Sequence, residues 1–252
     1  RHRGKLRQLI EPIAMLTVAP NGSNPEDIPD EDSKVFELDD TNILSKDRFS
    51  GLDRVESGQR AVYGINLGLF DTQDGRATAF FGQSYRFHKD EDLQQQLLLE
   101  KDFSDYVGRI EVHPHQYLDV LYRFRFSRDD FATRRSALSF RAGPAAFNVT
   151  GEYFFIDDGA ATGGFDEREE LTAGFNTRIN DFWSASLRTR RDMTSDGGSL
   201  LHALQVKYED ECFTLIATAN RSFTRDADIE PSDRILFQFI FKNLGQTATT
   251  AG

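Results

Sequence analysis

The stretch Leu118-Asp119-Val120-Leu121-Tyr122-Arg123-Phe124-Arg125-Phe126 decides the fold. Its even positions are all apolar, and the odd positions between them read Asp, Leu, Arg and Arg. Successive side chains on a pleated strand point to opposite faces, so this alternation makes one greasy face and one mostly charged face. The same register recurs outward in both directions. Tyr63, Ile65, Leu67 and Leu69 alternate with Val62, Gly64, Asn66 and Gly68, and Phe147, Val149, Gly151 and Tyr153 with Asn148, Thr150 and Glu152. Trp183, Ala185 and Leu187 oppose Ser184, Ser186 and Arg188, while Phe213, Leu215 and Ala217 oppose Thr214 and Thr218. About twelve strands result, with approximate limits 6–19, 58–70, 76–88, 104–113, 115–127, 133–141, 145–156, 168–179, 182–192, 199–208, 212–223 and 233–242. Their length suits a tilted strand crossing a bilayer, which needs about 9–11 residues.

Composition narrows the class further. None of the 252 residues falls in an apolar run long enough for a transmembrane helix. A β-barrel hides its membrane character, because lipid-facing and lumen-facing residues average to a polar mean hydropathy, here −0.52. Phe 22 and Tyr 7 outweigh Met 2 and Trp 1, a balance that favours strands. A net charge of −11 argues against nucleic acid, which calls for a basic footprint. One cysteine excludes an internal disulfide and a CxxC metal site. The chain opens Arg1-His2-Arg3, without an initiator Met or a signal-peptide apolar region, and reads as a fragment.

Connections alternate between long and short. The long ones are 20–57, 89–103, 128–132, 157–167, 193–198 and 224–232. Short ones lie near 71–75, at His113-Pro114, and at 142–144, 180–181 and 209–211. This parity is the outer-membrane pattern, with the long loops, 20–57 foremost, extracellular and the short turns periplasmic. The competing readings are a diffusion porin and a soluble β-rich carbohydrate-binding protein with solvated outer faces.

Catalytic motifs are absent, and no enzymatic activity, cofactor or metal is expected. Gly82-Gln83-Ser84-Tyr85-Arg86 lacks the closing glycine of a nucleophile elbow. His113 and His115 flank Pro114 without a third ligand nearby and read as a tight turn. Asp71-Thr72-Gln73-Asp74-Gly75 is turn chemistry and only a faint calcium loop, as are Asp157-Asp158-Gly159 and Asp196-Gly197-Gly198. The acidic clusters Asp30-Glu31-Asp32 and Asp166-Glu167-Arg168-Glu169-Glu170 fall in outer loops as solvated charge. Arg123, Arg125, Arg141, Arg178, Arg188 and Arg190 lie on polar faces, where they pair with nearby acids or meet an anionic cargo.

Five motifs in order carry a family resemblance. They are Ile10-Glu11-Pro12, then Phe36-Glu37-Leu38-Asp39-Asp40-Thr41-Asn42, then Arg48-Phe49-Ser50-Gly51-Leu52-Asp53-Arg54 with Gly58. Gly82-Gln83-Ser84-Tyr85 and Tyr208-Glu209-Asp210-Glu211-Cys212-Phe213 complete the set. In these residues the chain resembles the LptD family, the outer-membrane lipopolysaccharide-assembly proteins also called organic solvent tolerance proteins.

The resemblance implies that residues 1–252 are the C-terminal part of a larger antiparallel transmembrane β-barrel in the outer membrane of a Gram-negative bacterium. It implies transport of lipopolysaccharide into the outer leaflet, with the lipoprotein LptE plugging the barrel. The periplasmic bridge protein LptA would dock on an N-terminal domain outside this chain. A lateral opening between first and last barrel strands would place one wall at 233–242, with Ile235, Phe237, Phe239 and Phe241 toward lipid and Gln238 toward the lumen. The family uses cysteines at the Cys212 turn to bond barrel to N-terminal domain; Glu211-Cys212 leaves one such bond here, a free half-buried thiol being the alternative. Pro12, which cannot donate to a ladder, is expected to distort local pairing.

Overall fold

The computed structural model describes residues 6–20, 38–48, 56, 58–72, 74–87, 103–157, 167–223, 230–242 and 245–251. Among them are thirteen strands and no helix. These are β1 (Arg7–Val18), β2 (Gln59–Phe70), β3 (Arg76–Arg86), β4 (Tyr106–His115), β5 (Leu118–Phe126), β6 (Thr133–Ala142) and β7 (Phe147–Ile156). The chain continues through β8 (Arg168–Arg178), β9 (Trp183–Asp192), β10 (Ser199–Glu209), β11 (Phe213–Ser222), β12 (Ser232–Phe241) and β13 (Gly245–Ala251). Hydrogen bonding joins them in chain order from β1 to β13 in one sheet. The alternation of long loops and short turns holds along the whole order, because every second connection is a tight hairpin.

Three details differ from the sequence reading. His113 and Pro114 lie inside β4, and the turn falls at Gln116-Tyr117. Pro12 pairs with Ile65 in a register that runs unbroken from Arg7↔Phe70 to Val18↔Gln59. Among the described residues β1 pairs with β2 alone, and proline is tolerated where a strand is paired from one side. Past 242 the chain turns and adds β13, from Phe241↔Gly245 to Ile235↔Ala251. That segment, Gly-Gln-Thr-Ala-Thr-Thr-Ala, has no large apolar residue to signal a strand.

The chain falls into two compact units. One comprises Arg1–His115, Val120–Ala137 and Phe155–Arg168; the other comprises Gln116–Asp119, Leu138–Phe154 and Glu169–Gly252. In the first, Tyr63, Leu67, Leu69, Phe81 and Ile110 stand exposed on one face. Its opposite face carries Arg60, Val62, Asn66, Phe80, Val107 and Arg109, matched across the strands by the pairs Val62↔Ser84, Asn66↔Phe80 and Phe80↔Arg109. In the second, Phe147, Phe175, Leu187, Leu204, Ile235, Phe237 and Phe239 stand exposed. Contiguous apolar rows of this extent belong against lipid, not water.

Aromatic side chains gather at strand ends. Beside the long loops, Tyr106 stacks on Phe81 at 5.4 Å and on Phe131 at 5.2 Å, and Tyr85 meets Phe103 at 4.6 Å. Beside the short turns, Tyr208 packs against Trp183 at 5.0 Å and Phe213 at 5.3 Å. Amphipathic rings at these levels are what a bilayer interface selects.

Candidate functional site

The first unit's polar face is covered by its own chain. Residues 38–48, the described part of the long connection between β1 and β2, fold onto that face. Leu38 and Ile43 are fully buried at 1% and 0% exposure, against Val62, Phe80 and Val107, with Ile13, Met15 and Leu44 around them. Each buried aliphatic side chain contributes about 1.5–3 kcal/mol to holding the segment down.

Between these two pins, Asp39-Asp40-Thr41-Asn42 forms a turn closed by its own side chains. Asp39 Oδ1 accepts hydrogen bonds from Thr41 N at 2.8 Å, Thr41 Oγ1 at 2.6 Å and Asn42 N at 3.2 Å. Asn42 Oδ1 accepts from Asp39 N at 2.9 Å, and Ile43 N donates to Asp39 O at 3.1 Å. Such reciprocal capping fixes a turn without help from a helix. The free oxygens look at the strands. Asp39 Oδ2 lies 3.5 Å from Arg135 Nη1, Asp40 Oδ2 lies 3.4 Å from Arg109 Nη1, and Asp40 Oδ1 lies 3.7 Å from Arg123 Nε. Burial pushes the Asp40 carboxyl above its ordinary range, with Arg123 pulling the other way and Asp39 adding to the rise.

A second clasp holds the far end. Arg60 Nη2 donates to Ser45 O at 2.7 Å and Lys46 O at 3.3 Å, and its Nη1 to Ile43 O at 3.4 Å. Glu56, at 6% exposure, receives Arg48 Nε at 3.0 Å and Arg86 Nη2 at 2.9 Å, Arg48 Nη2 as well, and has Arg60 Nε at 3.4 Å. Three largely buried guanidinium groups share this one carboxylate, Asp47 Oδ1 accepts from Glu56 N at 3.4 Å beside them, and the loop's carbonyl oxygens take up part of the positive charge.

Several motif residues therefore meet in one place: Asp39, Asp40, Thr41, Asn42 and Arg48 all belong to the docked loop. Glu11 is separate from the clasp and accepts from Asn66 Nδ2 at 2.9 Å across β1–β2. Phe49, Gly51, Asp53 and Arg54 lie outside the described residues, as do Asp30, Glu31 and Asp32. Glu56, Arg60, Arg86 and Ile43 escaped the sequence reading, and Leu38 stood in it only as a position of the motif. One signal could have found them: Arg60 and Arg86 are direct cross-strand partners, and like charges in that position require an acid between them.

The remaining site residues belong to the second unit. Cys212 is an exposed free thiol in the β10–β11 turn, where Asp210 Oδ1 accepts from Cys212 N at 2.7 Å and Phe213 N at 2.8 Å. Those backbone donors hold the Asp210 carboxyl below its ordinary range. Cys212 O accepts from Lys242 N at 3.1 Å, so this turn abuts the end of β12. On β12, Ile235, Phe237, Phe239 and Phe241 are exposed on the apolar face while Gln238 is half-buried on the other. The strand is paired on both sides, to β11 and β13.

Fold and site define an outer-membrane type of antiparallel β-barrel segment, in which a long loop folds back onto the polar face. The family model described as LPS transport system D, LptD, matches residues 1–207, and the chain belongs to that family. It is similar to the LPS-assembly protein LptD of Acinetobacter baumannii, 27% identical over 252 residues, covering 96% of this chain and 30% of that protein. The LPS-assembly protein LptD of Alkalilimnicola ehrlichii is 25% identical over 253 residues, covering 95% of this chain and 32% of that protein. The chain thus spans about a third of the length of these curated relatives.

Proposed function

We propose that this chain forms part of the barrel through which lipopolysaccharide reaches the outer leaflet of the outer membrane. The observation that carries the reading is the family match across residues 1–207. The apolar face supports it by suiting lipid, and the polar face by offering a hydrophilic wall to sugars. A diffusion porin is disfavoured by the docked loop, which occupies polar face that an open pore would leave to water.

The partners in this reading are LptE as a plug and LptA through a domain outside this chain. Cys212 is the attachment point for an interdomain disulfide; its exposure and its place in a short turn suit that role. The lateral opening lies at the C-terminal hairpin. Because β13 follows β12, the wall there is the β12–β13 pair, with Ile235, Phe237, Phe239 and Phe241 toward lipid and Gln238 toward cargo.

The test replaces the full-length protein by a depletable copy and follows pulse-labelled lipopolysaccharide to the cell surface. Arrest of labelled cargo before the surface is expected on depletion. Normal arrival would overturn the reading.

A further inference from the structure

The arginines of the two units are treated differently. In the first unit the polar-face cations are neutralised from within: Arg109 and Arg123 by Asp40, Arg135 by Asp39, Arg125 by Asp105 at 2.7 Å. In the second, a cavity of about 420 Å³ opens on the polar face beside the short turns, lined by Arg141, Asn148, Asn176, Arg178, Ser184 and Lys207 among others. Its size falls within the range of about 300–1,000 Å³ typical of ligand-binding clefts. Among the described residues no ion pair or hydrogen bond engages the Arg141 or Arg178 side chain. Lys207 is held by Glu209, which also has Lys242 Nζ at 3.4 Å. Asp181, on the β8–β9 turn, and Glu209 itself put two carboxylates in the lining, against the three cations Arg141, Arg178 and Lys207.

Strand geometry sets the spacing of the two arginines. Arg141 on β6 and Arg178 on β8 flank Asn148 on β7, two strand steps or roughly 10 Å apart, which their long side chains can close around one anion. Asn148 is buried at 3% exposure, and its Oδ1 accepts from Asn176 Nδ2 at 3.1 Å, so the floor between the arginines is a fixed pair of amides. Guanidinium forks bind phosphate oxygens in pairs, and amides and the Ser184 hydroxyl bond to sugar hydroxyls.

We infer that this cavity is a subsite for a phosphorylated saccharide, with Arg141 and Arg178 gripping the phosphate and Asn176 and Ser184 facing the sugar. The inference rests on the conduit reading above, and places a stopping point for the cargo's phosphorylated sugars on the polar face near the short-turn side.

The experiment puts a photo-crosslinking residue at Ser184 of the full-length protein with its partners, in living cells, and a second one separately at Gln238. Lipopolysaccharide is expected to be captured at both positions. Arg141→Gln with Arg178→Gln should reduce capture at Ser184 by about tenfold or more, the loss of two charge-assisted contacts, while leaving capture at Gln238 unchanged. Capture at Gln238 without capture at Ser184, or capture at Ser184 indifferent to the arginines, overturns the subsite alone. A protein adduct at Ser184 in place of glycolipid makes the cavity a partner contact and also overturns it. Absence of capture at both positions brings down the conduit reading itself. Inorganic phosphate bound by the purified complex at this cavity, with no glycolipid adduct in cells, assigns it to free phosphate and overturns the cargo subsite. Should the double variant fail to reach the membrane, phosphate-poor lipopolysaccharide in the parent protein decides, since undiminished capture at Ser184 overturns the proposal.

Discussion

Two carboxylates of the docked loop, Asp40 and Glu56, look alike in sequence and differ in consequence. Glu56 faces Arg48, Arg60 and Arg86, all largely withdrawn from solvent, so removing its charge takes a shared acceptor from three guanidinium groups. Glu56→Gln should loosen the loop by about 3 kcal/mol, the usual cost of breaking a buried ion cluster from one side. Hydrogen exchange at the Ile43 and Ser45 amides, both donors within the loop, should then quicken by about a hundredfold. Asp40 faces Arg109 and Arg123, which are more than a third exposed and keep their water when the acid is removed. Asp40→Asn should cost under about 1 kcal/mol at neutral pH. It should also change the pH profile. A carboxyl whose folded pKa is raised binds its proton more tightly when docked. Its help to docking is therefore complete below the ordinary value of 3.8 and is lost as pH rises through the folded value. Loop exchange measured across that window should show this component in the parent and lack it in Asp40→Asn.

At the scale of elements, alternation alone located twelve strands to within a few residues, because each side chain row faces one environment, lipid or polar interior. Alternation failed where that contrast failed. β13 carries no large side chain, and Pro114 suggested a turn although β4 continues to His115. The docked loop was illegible for a different reason: Leu38 and Ile43 follow no strand or helix period, and their partners Val62, Phe80 and Val107 interrupt faces that are otherwise polar. The Asp-Asp-Thr-Asn motif was visible as a family mark, but nothing local said which arginines its free oxygens would meet. The β6–β7 hairpin gives the element scale its own prediction. Gly143 has φ +116, and a Cβ there would lie 2.3 Å from Phe147 O, so both conformation and space demand glycine. Gly143→Ala should lower stability by about 1–3 kcal/mol, read as a lowered urea midpoint for the detergent-folded full-length protein. An unchanged midpoint would show that the turn relaxes without cost.

At the scale of the whole chain, the first unit's polar face is closed by its own loop, and in the second unit no ion pair among the described residues engages the cavity's Arg141 or Arg178. Cys212 supplies a separate check on how the barrel is tied to the rest of the protein. In the full-length protein Cys212→Ser should abolish the mobility difference between reduced and non-reduced gels; a difference that persists would remove Cys212 from any interdomain bond.

The conduit claim is met most directly by the photo-crosslinking residue at Gln238 in the full-length protein, in living cells. Gln238 lies on the polar side of β12, one strand in from β13, where the proposed exit at the C-terminal hairpin would bring cargo past it. Lipopolysaccharide covalently attached there is the predicted result. A protein that reaches the outer membrane, cross-links to nothing at Gln238 and still sustains normal lipopolysaccharide at the surface would contradict the account.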